Sequence, residues 1–147
     1  MTINTCSGAM SFAKELENES SKFYQKLSER FTKEKDLFLS FAKENGEYIT
    51  QIERAYYGVI SDAIEGCFAF NIAPEKYGFK TELSEKAALT DVLKSALEIE
   101  EKMITFYSDA AEQSKSLMAD VPRAFKMVAK KRDLRKGKLL SLMAVKA

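Results

Sequence analysis

Two glutamates, Glu17 and Glu100, occupy the same position in two similar segments of the chain. ELENESSKFY (residues 15–24) and EIEEKMITFY (residues 98–107) share the frame E-[LI]-E-x5-F-Y. Both glutamates fall within an apolar stripe that has helical spacing, so both carboxylates are predicted to face a core. A buried carboxylate without a partner is strongly unfavourable. Each therefore needs a cation, which is either a metal ion or a basic side chain.

The composition limits the chemistry that these carboxylates can take part in. The 147 residues include no histidine, and the two cysteines, Cys6 and Cys67, have no CxxC spacing. Histidine acid–base catalysis, Ser/His and Cys/His nucleophile pairs, His-ligated metals and thiolate zinc sites are therefore excluded. Any metal would be held by carboxylates and other oxygen ligands. The two thiols are expected to be reduced, as in a cytoplasmic protein.

The charge distribution favours neither nucleic acid nor a membrane as a partner. The formal net charge is +1, so no overall field attracts polyanions. The segment KKRDLRKGK (residues 130–138) is basic but contains no aromatic residue, and we interpret it as a solvated helix face. The uncharged run at residues 66–74 is too short to span a bilayer. We also expect no signal peptide and a cytoplasmic location.

The elements that position the two glutamates are predicted to be helices. Apolar spacing predicts four of them, over residues 11–31, 34–57, 84–114 and 122–143. Ser11 and Ser84 are candidate N-caps of the first and third helices. Residues 1–10 are expected to form a loose N-terminus, and residues 59–83, which contain one proline and two glycines, a long crossover connection.

The repeat extends to the second and fourth helices, which predicts a symmetric architecture. FAKENGEY (residues 41–48) aligns with VAKKRDLR (residues 128–135), and the two segments share an Ala-Lys pair. Two helix hairpins joined by a long crossover form an all-α four-helix bundle with internal pseudo-symmetry. We predict that residues 1–147 form one such domain, because this length suits a single core.

From about Ser11 to Met143, this arrangement resembles the rubrerythrin-like branch of the ferritin-like superfamily. In that family, helices 1 and 3 each carry E-x6-FY or a close variant, and helices 2 and 4 each carry E-x-x-H. Together these residues hold two irons at the centre of the bundle. The resemblance implies a ferritin-like fold, a di-iron cofactor and oxidoreductase or peroxidase activity. Because family bundles commonly pair through helix faces, it also implies a homodimer.

Only two of the six ligand positions implied by the resemblance keep the family residue. Glu17 and Glu100 occupy the first-motif positions on helices 1 and 3. The Glu and His positions of the other two helices are substituted, by Asn45 and Tyr48 on helix 2 and by Arg132 and Arg135 on helix 4. The rubredoxin-type iron domain is absent as well, because it requires CxxC pairs.

These substitutions make the six positions neutral without a metal. We therefore predict that the two arginines stand where the irons would and form ion pairs with the two glutamates, since guanidinium binds carboxylates through paired hydrogen bonds. Asn45 and Tyr48 are expected to satisfy the remaining donors and acceptors. No catalytic residue, metal or other cofactor is then expected.

Three functions from different classes follow from this reading. The leading one is a non-catalytic ferritin-like protein with a degenerate di-iron site and a role in interaction or assembly. The second is a di-iron oxidoreductase or peroxidase that uses the shifted carboxylates Glu44, Glu47 and Asp133. The third is a small-anion-binding module with incompletely neutralised arginines. Simpler alternatives are that the glutamates reach water at the edge of the core, or that the arginine heads extend to solvent.

Overall fold

The computed structural model describes residues 2–58, 70–115 and 120–146 and contains four long helices in these ranges. They are α1 (Cys6–Arg30), α2 (Lys35–Gly58), α3 (Leu89–Gln113) and α4 (Asp120–Lys146). Two short 3-10 helices, Thr32–Glu34 and Pro74–Lys76, lie in the connections. Among the described residues the only β feature is one isolated bridge, between Ile3 and Ile72. The all-α prediction is confirmed.

The four helices pack together as two hairpins around one core. α1 packs along α2, and α3 packs along α4, while the hairpins contact each other chiefly through α2 and α4. Each helix places the apolar stripe seen in the sequence against the others, because residues three or four apart share a helix face. The first eleven residues of the predicted crossover, 59–69, lie outside the described residues.

The N-terminus differs from the prediction, because α1 begins five residues before Ser11. Thr5 is the N-cap, and its Oγ1 accepts a hydrogen bond of 3.0 Å from the Gly8 amide. Ile3 pairs with Ile72 through two backbone hydrogen bonds of 2.7 and 2.9 Å. Residues 6–10 are therefore helical, and Ile3 is hydrogen-bonded to the rest of the fold. The expectation of a loose terminus over residues 1–10 is wrong for these residues.

The start of α3 also differs, because this helix begins five residues after Ser84. Asp91 fixes the true start by accepting a 3.0 Å hydrogen bond from the Ala88 amide. The preceding turn is held instead by the Arg30 guanidinium at the end of α1. It donates bonds of 2.6–2.7 Å to three backbone carbonyls, those of Ser84, Glu85 and Ala87. These bonds hold residues 84–87 in a turn, in which the Ala87 amide also donates to the Ser84 carbonyl at 3.1 Å.

Two glycines give opposite expectations for the same substitution. A Cβ at Gly46, in the middle of α2, would meet nothing within 4 Å. We expect Gly46→Ala to raise the free energy of unfolding by about 0.5–1 kcal/mol, because alanine loses less backbone entropy in a helix. A Cβ at Gly8 would lie 2.9 Å from the Ile3 side chain. Gly8→Ala should therefore lower that free energy, and urea unfolding of both variants checks the pair.

Candidate functional site

The six positions singled out in the sequence meet in the interior of the bundle. None of their side chains is more than 2% exposed. They come from all four helices: Glu17 from α1, Asn45 and Tyr48 from α2, Glu100 from α3, and Arg132 and Arg135 from α4. The alternatives in which the carboxylates reach water or the guanidinium groups extend to solvent are therefore wrong.

Arg132 lies between the two glutamates of the repeat and binds both. Its Nη2 lies 2.6 Å from Glu17 Oε1, and its Nη1 lies 2.6 Å from Glu100 Oε1. Nε donates a longer bond of 3.3 Å to Glu17, so this carboxylate is held by two nitrogens. Nη2 also donates to Asn45 Oδ1 at 3.0 Å and to Ser20 Oγ at 3.4 Å. Every nitrogen of this guanidinium therefore has an acceptor.

The two carboxylates keep Arg132 charged in spite of its burial. Burial by itself lowers the pKa of the guanidinium, because desolvation penalises the charged form. The negative charges of Glu100 and Glu17 outweigh that effect and hold the pKa of Arg132 well above its usual value. The site is therefore a permanently charged group enclosed by compensating charges rather than a proton donor.

Two tyrosine hydroxyls donate hydrogen bonds to the carboxylates, each from one hairpin to the other. Tyr24 on α1 donates a 2.6 Å hydrogen bond to Glu100 on α3. Tyr107 on α3 donates to Glu17 on α1. Each tyrosine follows the glutamate of its own helix by seven residues but donates its hydrogen bond to the glutamate of the other hairpin. This role was not predicted from the sequence, although the E-x6-Y spacing shared by the two segments is its signal.

Arg135 is less completely satisfied than Arg132. Its Nη1 donates to Asn45 Oδ1 at 3.0 Å, and its Nη2 donates to the Phe41 carbonyl at 3.1 Å. Its charged neighbours are more distant, with Glu44 Oε1 at 3.3 Å from Nη2 and Glu100 Oε2 at 3.7 Å from Nη1. Its buried Nε has no hydrogen-bond partner among the described residues.

Aromatic rings surround the Arg135 guanidinium. Its central carbon lies 4.5 Å from the centroid of Phe41, 5.3 Å from that of Tyr24 and 5.4 Å from that of Tyr48. Cation–π attraction thus compensates part of its charge where carboxylates are distant. Burial in the same region raises the pKa of Tyr48. Tyr48 contributes a ring face to both arginines, with its centroid 5.5 Å from the central carbon of Arg132 and 5.4 Å from that of Arg135.

The shifted carboxylates are not brought together. Glu47 and Asp133 are exposed on the outer faces of α2 and α4, and the half-exposed Glu44 contacts Arg135. In the described ranges no group of three or more His, Cys, Asp and Glu residues is arranged to hold a metal ion. The donor set fits a pair of divalent cations poorly, because Glu17 and Glu100 already accept bonds from a guanidinium that lies between them.

Comparisons with models of known protein families, with curated proteins and with solved structures gave no match. The resemblance to the rubrerythrin-like branch therefore stands on the residues quoted above. No helix in the part of the chain that the structure describes is both long enough and apolar enough to cross a membrane.

Replacing Arg132 tests the charge network. Arg132→Leu leaves two carboxylates buried without their shared cation, and we expect it to lower the free energy of unfolding by about 3–5 kcal/mol. Arg123→Leu, an exposed arginine on the same helix, is the matched control and should change it by less than about 0.5 kcal/mol. Adding Glu17→Leu to Arg132→Leu should recover part of the loss. Urea unfolding measures all three, and equal effects of the two arginine variants would contradict the network.

The buried tyrosines predict a loss of stability at alkaline pH. Burial and the adjacent carboxylates raise the pKa of Tyr24 and of Tyr107 well above 10. The stability linked to these protons is therefore complete below pH 10 and is lost as the pH rises further, because the unfolded tyrosines ionise first. The loss is about 1.4 kcal/mol per pH unit for each tyrosine.

Tyr107→Phe should therefore give a stability profile whose slope above pH 10 is shallower by about that amount for one group. Urea unfolding of the parent chain and the variant between pH 8 and 11 measures the difference. Other titrating groups are common to both proteins, so parallel profiles would show that Tyr107 ionises as readily in the folded state as in the unfolded chain.

Proposed function

We propose that the chain is a non-catalytic ferritin-like protein in which arginine side chains have replaced the metal site. The observation that supports this most directly is the Arg132 guanidinium, which lies 2.6 Å from an oxygen of each glutamate in the repeat. The proposal places the protein among interaction and assembly modules rather than among oxidoreductases.

Electrostatics favours this proposal over di-iron chemistry. In the bundle centre, two carboxylates already balance two guanidinium groups. A divalent cation would add two positive charges next to arginines that cannot deprotonate, at distances where repulsion in a poorly hydrated interior is large. It would also have to displace the tyrosine and guanidinium donors from both glutamates.

A polar core of this kind suits a role in defining structure. A buried ion network seldom adds net stability over apolar packing, but it penalises every arrangement that leaves a charge unpaired. Here it ties all four helices in one register. The ferritin-like crossover, the homodimer and the cytoplasmic location belong to the same proposal and remain predictions.

Metal analysis of the protein as purified from iron-supplemented cells tests the proposal. We expect iron far below one equivalent per chain. A fourfold variant restores the family ligands through Asn45→Glu, Tyr48→His, Arg132→Glu and Arg135→His, and we expect it to bind iron or cobalt. Stoichiometric iron in the parent chain that is lost in Glu100→Gln would overturn the proposal and favour the oxidoreductase alternative.

A further inference from the structure

A groove beside the charge network runs along the contact between α2 and α4. Its volume is about 700 Å³, which lies within the range of small-molecule sites. Three buried side chains form its inner wall, those of Phe41, Tyr48 and Arg135. The groove is therefore the place where the core network reaches the molecular surface.

Arg135, in this wall, has a hydrogen-bond donor without an acceptor among the described residues. The side chain is almost completely buried, yet its Nε has no acceptor in the described part of the chain, whereas Arg132 next to it uses every nitrogen. A charged donor that is buried without an acceptor is costly. Arg135 is therefore less completely compensated than Arg132, and a carboxylate in the place of Glu44 at Nη2 would meet a guanidinium that is 1% exposed, where a charge-assisted hydrogen bond is strong.

Glu44 is the carboxylate that meets Arg135 from the groove. Its contact with Nη2 is a single one of 3.3 Å, and its side chain is 37% exposed. Both features describe a weakly held partner, because Glu44 is partly solvated and makes only this one long contact with the guanidinium. Glu44 can rotate into water, and the vacated position then accepts another carboxylate without changing the charge around Arg135.

The other residues that line the groove indicate the chemistry of the rest of the ligand. Lys131 and Lys138 are exposed at the rim, so cationic groups outnumber Glu44. Leu37 and Leu134 provide apolar surface, and Leu134 is 62% exposed. A second copy of the chain would bring the same lysines to this face and be repelled, whereas an inorganic anion would leave the leucines uncovered.

We propose that the groove binds an organic monocarboxylate with an apolar body. The ligand carboxylate displaces Glu44 from Arg135, while the hydrocarbon part covers Leu37 and Leu134. In the free protein Glu44 occupies the carboxylate position and acts as an internal competitor. The inference goes beyond the proposed function, because the groove lies outside the pair of glutamates and does not require the centre of the bundle to be free of metal.

Titration of the full-length ¹⁵N-labelled chain with octanoate, followed by two-dimensional NMR, tests this proposal. The amide of Gly137, which lines the groove, should shift saturably, and that of Gly8 should not. Octanol, which keeps the chain but lacks the charge, should bind at least about tenfold more weakly. Inorganic phosphate should not saturate the same shift.

Matched variants identify the groups involved. Glu44→Gln should strengthen octanoate binding about fivefold, because the internal competitor is removed. Glu47→Gln makes the same change on the outer face of the same helix and should leave the affinity unaltered. Lys138→Gln should weaken binding, and Lys130→Gln, which is exposed outside the groove, should not.

Several results would overturn the proposal. Equal binding of octanoate and octanol would show that no carboxylate site exists, and equal effects of Glu44→Gln and Glu47→Gln would show that the carboxylate does not replace Glu44. Shifts at Gly137 that depend on protein concentration alone would identify the groove as a contact between two copies. Metal analysis has no bearing on these outcomes, so failure here is distinguishable from failure of the proposed function.

Discussion

Two carboxylates buried at the centre of a helical bundle set the main constraint on this protein. A carboxylate removed from water must be paired and hydrogen-bonded, or it gives up its charge. Glu17 and Glu100 meet that requirement through one shared guanidinium and one tyrosine hydroxyl each. Because these groups come from three helices, and Asn45 joins the fourth, the positions of all four helices relative to one another are fixed by charge as well as by packing.

The charges of the two arginines are compensated to different extents. Arg132 is enclosed by acceptors, and each of its guanidinium nitrogens already donates a hydrogen bond within the protein. Arg135 lies closer to the surface and relies on ring faces, one amide, one carbonyl and distant carboxylates. Compensation thus falls off from the centre of the bundle toward the α2/α4 groove. Binding capacity is expected at the less compensated end, where a ligand can add what the protein does not supply.

The sequence was sufficient to predict the helices, the buried charges and their neutralisation. Helical spacing places Glu17 and Arg132 on inward faces, and the resemblance assigns the two arginines to ligand positions where they balance the two glutamates. The predicted starts of α1 and α3 were wrong because side-chain contacts determine them: Thr5 caps α1, Asp91 caps α3, and Arg30 binds the carbonyls of residues 84, 85 and 87. The groove depends on how far apart two helices lie, which a single sequence does not contain.

The reciprocal tyrosine bonds have a consequence for the independence of the two halves. Seven residues along a helix span about 10 Å, and each tyrosine binds the glutamate of the other hairpin rather than that of its own helix. Without the second hairpin, the first would expose the unpaired carboxylate of Glu17. The second alone would expose two guanidinium groups and only one of the two carboxylates, that of Glu100. A chain cleaved between α2 and α3 would consequently yield two complementary fragments, each unsuited to fold alone and each supplying the counter-charge that the other lacks. This is the property required of a split reporter.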